Sequence, residues 1–345
     1  MFNYTPTKMK KTIVITACLM LGFTGMTQTN DFYDDAPLNE LKMSEIMIAG
    51  EVANPGIIDL TKLPLRDVIV KETGLSGDNG SFKGAYLYQG YSLYDILNLT
   101  VLKKKNEAEF PPIIDLFVEI ENADGEKVVL SWGEIYYPIH RHEILIANGV
   151  RRIVPSKTKE LWPLPTESKL VVASDLYTER NISNPVKITV RSSKLNFVID
   201  RNIPDMYAKD LKFHTGDNLL ESLAEGELKG NMISYGSVFY GRGTGIHGTT
   251  PFKGVMLKDY TNAYYPMTKE NLKTGLFVVS APDGYRAVFT YSEIFNRNDQ
   301  AEVLIVPMYG QATQGAFLLY PAADYFSDRS IRCLNEIRMM QSSDL

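Results

Sequence analysis

Apolar residues fall along this chain in short blocks set off by glycine and polar pairs. Phe277-Val278-Val279 runs into Asp283-Gly284, and Ala287-Val288-Phe289 runs out of it. Asp-Gly between two apolar runs is a hairpin signature, because glycine supplies the positive φ of a tight turn, and two paired strands are predicted here. Asp124-Gly125 predicts the same turn upstream. Ser131 and Thr290 stand at N-cap positions ahead of Glu134-Ile135 and Glu293-Ile294, and each predicts a short helix. Ile144-Leu145-Ile146 and Val303-Leu304-Ile305-Val306 read as the strands that follow. Gly90 to Leu97 reads as a turn entering a helix, with apolar positions 93, 96 and 97. Antiparallel hairpins mixed with short helices give an α+β expectation rather than a doubly wound one.

One apolar stretch has a different character. Thr12 to Phe23 follows Lys8, Lys10 and Lys11 and precedes the small and polar Thr24-Gly25-Met26-Thr27-Gln28. That order matches a secretory signal peptide, and the stretch is shorter than the roughly 20 residues a spanning helix needs. Residues 1–28 are therefore expected to be a signal peptide, starting at Met1 or Met9, and residues 29–42 a flexible leader. Cys18 in Ile15-Thr16-Ala17-Cys18 resembles a lipoprotein cleavage box, but Leu19-Met20-Leu21 carries the apolar run past it. The expectation is an exported protein, periplasmic or secreted, without a transmembrane segment.

The blocks then repeat. Asp124-Gly125 through Trp132 and Glu134-Ile135 aligns without gaps on Asp283-Gly284 through Tyr291 and Glu293-Ile294, 159 residues downstream. The same offset carries Glu143, Leu145 and Ile146 onto Glu302, Leu304 and Ile305. Gly90-x-x-Leu93-x-Asp95 meets Gly254-x-x-Leu257-x-Asp259, and Asp175…Arg180 with Ile182 meets Asp324…Arg329 with Ile331. Three blocks in one order predict a duplication, with modules at 43–190 and 191–345 and the boundary in Arg191-Ser192-Ser193-Lys194.

These motifs resemble the molybdopterin-binding domain of the sulfite-oxidase-like oxidoreductases. The resemblance rests on the paired Gly-x-x-Leu-x-Asp turns, on Asp283-Gly284-Tyr285-x-Ala287, on the closing Asp-x-x-x-x-Arg, and on Ile48-Ala49-Gly50-Glu51-Val52 before Asn54-Pro55. It implies two tandem modules of mixed sheet, antiparallel hairpins and short helices. It further implies a pyranopterin cradled by backbone amides and a few basic side chains. The family binds molybdenum through a cysteine thiolate ahead of the Gly-x-x-Leu turn. Neither Lys71–Gln89 nor Ile233–Lys253 contains a cysteine, and no other side chain there supplies the soft donor that metal needs. Lys10-Lys11 also departs from the twin-arginine signal by which cofactor-loaded molybdenum enzymes leave the cell.

Composition narrows the picture further. The 345 residues carry 36 basic against 41 acidic side chains, a net charge of −5, which argues against nucleic acid as the main partner. The one basic run, Lys103-Lys104-Lys105, reads as a solvated loop. The two cysteines are Cys18, inside the signal, and Cys333, which aligns with Asn184 and reads as a small core residue. A mature chain with one thiol forms no internal disulfide.

Candidate chemistry concentrates in Tyr235–Lys253. Gly241, Gly243 and Gly245 expose backbone N–H groups, and Arg242, His247 and Lys253 add positive charge, a combination suited to a phosphate, carboxylate or pterin-phosphate group. His140 and His142, read as sharing one strand face, are weaker metal candidates. No catalytic series of nucleophile, histidine and acid is apparent. The expected function is an exported binding protein for a small anionic or pterin-like ligand or an envelope protein partner, with no cofactor expected. Molybdopterin enters through the resemblance alone. The rival expectation is a molybdopterin-dependent oxidoreductase with atypical ligation.

Overall fold

The hairpins predicted at the two Asp-Gly turns are present. Leu116–Asn122 pairs with Lys127–Ser131 across Gly125, at φ 84°, and Gly275–Ser280 pairs with Arg286–Thr290 across Gly284, at φ 81°. Each hairpin ends in a one-turn helix, Trp132–Tyr136 or Tyr291–Phe295. Ser131 accepts from the Glu134 N–H while the Glu134 carboxylate accepts from the Ser131 N–H, and Thr290 and Glu293 repeat this capping box. The computed structural model describes residues 36–345 apart from 78, 196, 201, 204–205 and 310–314. The signal-like segment, its start codons, Cys18 and the first half of the 29–42 leader lie outside the described residues.

The α+β expectation is overturned. The chain is 45% strand and 13% helix, with its main sheets in a four-bladed, propeller-like arrangement. The helix signals are real but brief. Leu93–Leu97, Trp132–Tyr136, Leu257–Thr261 and Tyr291–Phe295 are five residues each, too short to form a layer of their own. The predicted turn at Gly90 is instead the end of a long strand, Asn79–Ser92, which returns on Leu65–Ser76. A sulfite-oxidase-like α+β fold is therefore not the architecture of this chain.

Two main sheets lie in each half, and they share one order. In the first half the strands run Gly56–Asp59, Glu45–Gly50, Pro185–Ser192, Leu116–Asn122, Lys127–Ser131; in the second, Asn218–Ala224, Asp210–Thr215, Glu336–Gln341, Gly275–Ser280, Arg286–Thr290. In both, the last strand inserts parallel to the first, with Ile188 opposite Ile48 and Ile337 opposite Phe213. The other pair of sheets orders Leu65–Ser76, Asn79–Ser92, Ile144–Arg152, Lys169–Val172 and Met232–Tyr235, Phe252–Met256, Val303–Pro307, Phe317–Pro321, with Asn39–Glu40 added on Ile144–Arg152 in the first. Inward residues of these strands, such as Ile48, Val118, Ile146 and Ile188 or Phe213, Phe277, Ile305 and Ile337, form the buried cores. At about 1.5–3 kcal/mol for each large apolar side chain, their burial supplies the main driving force.

The Gly-x-x-Leu motif has a packing cause. A Cβ on Gly90 would lie 2.3 Å from the Ile146 carbonyl oxygen, and one on Gly254 would lie 2.4 Å from the Ile305 oxygen. Only glycine lets those backbones cross.

The halves meet through reciprocal bonds. The Leu176 N–H donates to the Asn296 carbonyl, and the Tyr325 N–H donates to the Tyr137 carbonyl, both at 2.7 Å. Asn298 donates to Ser174 and Ile139 to Ala323 in the same way. Two buried arginines add to this exchange. Arg180 makes a two-pronged pair with Asp175, reaches Glu134 at 2.9 Å, and touches Thr290 of the other half at 3.3 Å. Arg329 does the same with Asp324, with Glu293 at 2.8 Å, and with Ser131 of the other half at 3.2 Å. Such isologous exchange is the signature of a two-fold interface, here within one chain.

Candidate functional site

The glycine-rich segment folds as a small hairpin, Phe239–Gly241 with Gly245–Gly248, followed by the strand that carries Lys253. Gly245, at φ 76°, closes the turn. Gly241 makes room for a ring, since a Cβ there would lie 2.6 Å from the His247 Nε2. Gly243 has open space around it. The cations are largely engaged. Arg242 donates to Asp328 at 3.1 Å and lies 5.5 Å from the Tyr137 ring, and His247 shares a hydrogen bond with Thr244. Lys253 is exposed on its strand. The hairpin thus brings Arg242 and His247 together but leaves Lys253 on the adjoining strand, opposite Ser234.

His140 and His142 sit in the loop before the Ile144–Arg152 strand, not on a strand face. His142 has φ 66°, so the alternation that would align the two rings does not hold, and His140 is exposed. The His142 Nδ1 lies 3.0 Å from Ser92 Oγ and 3.6 Å from Asp95 Oδ2. Both partners meet the same nitrogen, whereas a nucleophile relay needs them on opposite nitrogens. Among the described residues no group of three or more His, Cys, Asp or Glu is arranged to hold a metal ion.

A different place gathers unspent charge. Arg286, at the position of the first half's exposed Lys127, is buried at 2% exposure. Its guanidinium packs 4.2 Å from the centre of Phe110 and 5.3 Å from that of Phe197. One arm reaches Asp115 at 3.4 Å and another the Gly284 carbonyl at 3.4 Å, while Nε has no hydrogen-bond partner. Asp115 is fully buried and is also paired with Lys104 at 2.7 Å. Lys104, read as solvated in the sequence, is buried and donates to the Phe110 and Pro112 carbonyls as well. Burial pushes the Asp115 carboxyl up and the Lys104 ammonium down, each against their mutual attraction. Wherever the Asp115–Lys104 proton resides, the guanidinium stays charged, so the trio sums to +1.

Arg286 lines the floor of a cleft of about 570 Å3 between the halves, walled by the 189–195 connection and the 105–109 loop. Exposed Lys105 and Lys194 stand at its rim together with Arg191. Arg191 lies 3.4 Å from Glu119. Of the acidic lining residues, Glu51 is committed: its carboxylate accepts from the Ser192 N–H and Oγ and from the Lys105 N–H. Glu109 is exposed. Asn106, on the same wall, donates its amide to Asp115, which leaves its carbonyl oxygen buried without a partner.

Sequence reading missed Arg286, Lys104 and Asp115. The available signal was a charged residue opening an otherwise apolar strand, Arg286-Ala-Val-Phe-Thr290, and an aspartate inside Ile113-Ile114-Asp115-Leu116-Phe117.

The donor set does not fit the molybdenum centre of the family named above. Cys333, the one cysteine among the described residues, is buried at φ 52°, with its thiol against the Met206 carbonyl. It does not line the cleft, and Asn184 takes the matching left-handed turn in the first half. No protein-family model and no curated protein matches the chain.

Proposed function

We propose that this chain is an exported binding protein that takes a small anionic molecule into the cleft over Arg286. The observation that carries the reading is the buried guanidinium whose Nε is unmatched. An ionised group out of water and short of partners is expensive, and an oxyanion in the cleft supplies the missing charge. Lys105 and Lys194 at the rim give the approach a favourable field. The cleft is built from both halves and their connection, so a ligand there bridges them.

A thermal-shift series with inorganic phosphate, sulfate, succinate and citrate tests this. A ligand that binds only the folded state stabilises by about 2.7 kcal/mol at a hundredfold excess over Kd. At least one of these anions is expected to raise the wild-type Tm, with the rise absent in Arg286→Gln. No rise with any of them, or an equal rise in the variant, contradicts the reading.

A further inference from the structure

The seam between the halves holds more buried carboxyl groups than buried cations. Asp175, Glu134, Asp324 and Glu293 face Arg180 and Arg329, and all six side chains are at most 4% exposed. Arg297 approaches from the second half, bridged to the Asp175 backbone, but its guanidinium is already paired with Asp299. Four carboxyls against two guanidiniums leave an excess of negative charge that Arg297, shared with Asp299, offsets only in part, in a place where each ion out of water carries a heavy desolvation penalty.

The geometry selects the carboxyl that relieves this. Glu293 divides its acceptors, with Arg329 on Oε1 and the Thr290 N–H on Oε2. Glu134 receives the Ser131 N–H, Arg180 and the Thr290 hydroxyl all on Oε1. That arrangement leaves Glu134 Oε2 as the oxygen on which a proton sits without displacing a hydrogen bond. A small pocket lined by His140, His142, Glu143, Ser174 and Arg297 opens onto Glu134 and connects it with solvent.

We propose that the seam is a pH-responsive latch, closed when Glu134 carries a proton and loosened when Glu134 ionises. The charged groups around it are Arg180 and Asp175 from the first half, Glu293, Arg329, Asp324, Arg297 and Asp299 from the second, with His140, Arg141, His142 and Glu143 at the pocket. Burial, with Glu293 and Asp175 adding to it against the pull of Arg180, pushes the Glu134 carboxyl up from 4.5 to about 7. The folded state then binds a proton that the unfolded chain has released, so the latch weakens as pH rises from 4.5 to about 7 and is fully loosened above that. His142 and His214 are depressed by burial and act in the opposite direction as pH falls, so the difference between variant and wild type is the informative quantity.

The test is a carbon-13 NMR titration of glutamate carboxyls in the full chain, with Tm against pH for wild type, Glu134→Gln and Glu293→Gln. Glutamine keeps the Oε1 acceptor and the cap. One carboxyl titrating near neutrality is expected, absent in Glu134→Gln and shifted toward acid in Glu293→Gln. The wild type is expected to lose roughly 4 °C more than Glu134→Gln between about pH 5 and pH 7.5. Should every glutamate be ionised by about pH 5.5, or should Glu134→Gln lose stability in step with the wild type, the latch is refuted.

Discussion

Gly133 sits under the guanidinium of Arg329: a Cβ there would lie 2.1 Å from Nη1. In an exposed helix, alanine for glycine gains up to about 1 kcal/mol. Gly133→Ala is instead expected to destabilise by about 1–3 kcal/mol, because the arginine it displaces is held on Asp324, Glu293 and Ser131 and has nowhere to move. Chemical denaturation reads this directly, and a neutral or stabilising alanine would show the seam to be slack. The same scale explains which site residues could be read in advance. The glycines of 241–245 and the cations beside them stand out by type, yet Arg242 spends its charge on Asp328. Arg286 differs from an ordinary surface cation only by what packs over it, Phe110 and Phe197 from distant segments, and Lys104 by a chain that folds back to bring Phe110 over it; a sequence does not display either.

At the scale of elements, local chemistry was legible and its extent was not. The Asp-Gly turns, the caps at Ser131 and Thr290 and the strand that opens with Ile144-Leu145-Ile146 all occur where expected, because each depends on a few adjacent residues. The fold class was misread because a cap announces where a helix starts, not that it stops one turn later. The long strand Asn79–Ser92 was misread because glycine and tyrosine interrupt its apolar pattern. The caps also do more than close helices. Ser131 accepts from Arg329 and Thr290 from Arg180, each across the seam. A capping residue is worth about 1 kcal/mol, and losing a hydrogen bond to a buried charged group, whose nitrogen here keeps a carboxylate and a carbonyl acceptor, adds about 1.5–3 kcal/mol. Ser131→Ala and Thr290→Ala are each expected to cost about 2–4 kcal/mol in urea unfolding. A loss of no more than about 1 kcal/mol in both would mean that the cross-seam bonds contribute nothing.

On the scale of the whole molecule, the two halves repeat one strand order and exchange identical bonds, yet they differ in where charge is left over. The seam carries excess carboxylate and the cleft at the 189–195 connection carries excess cation. The repeat was legible as aligned motifs. The cleft was not, because it is assembled from the first half, the connection and, in the second half, Arg286 and Leu345. Among the described residues no helix is long and apolar enough to cross a membrane. The most direct measurement is a crystal structure of the full chain grown with whichever anion gives the largest thermal shift. The account predicts that anion in the cleft, within hydrogen-bond distance of Arg286 and flanked by Lys105 or Lys194. An anion seated instead on Arg242 and His247 of the glycine-rich hairpin, with the cleft holding only water, would contradict it.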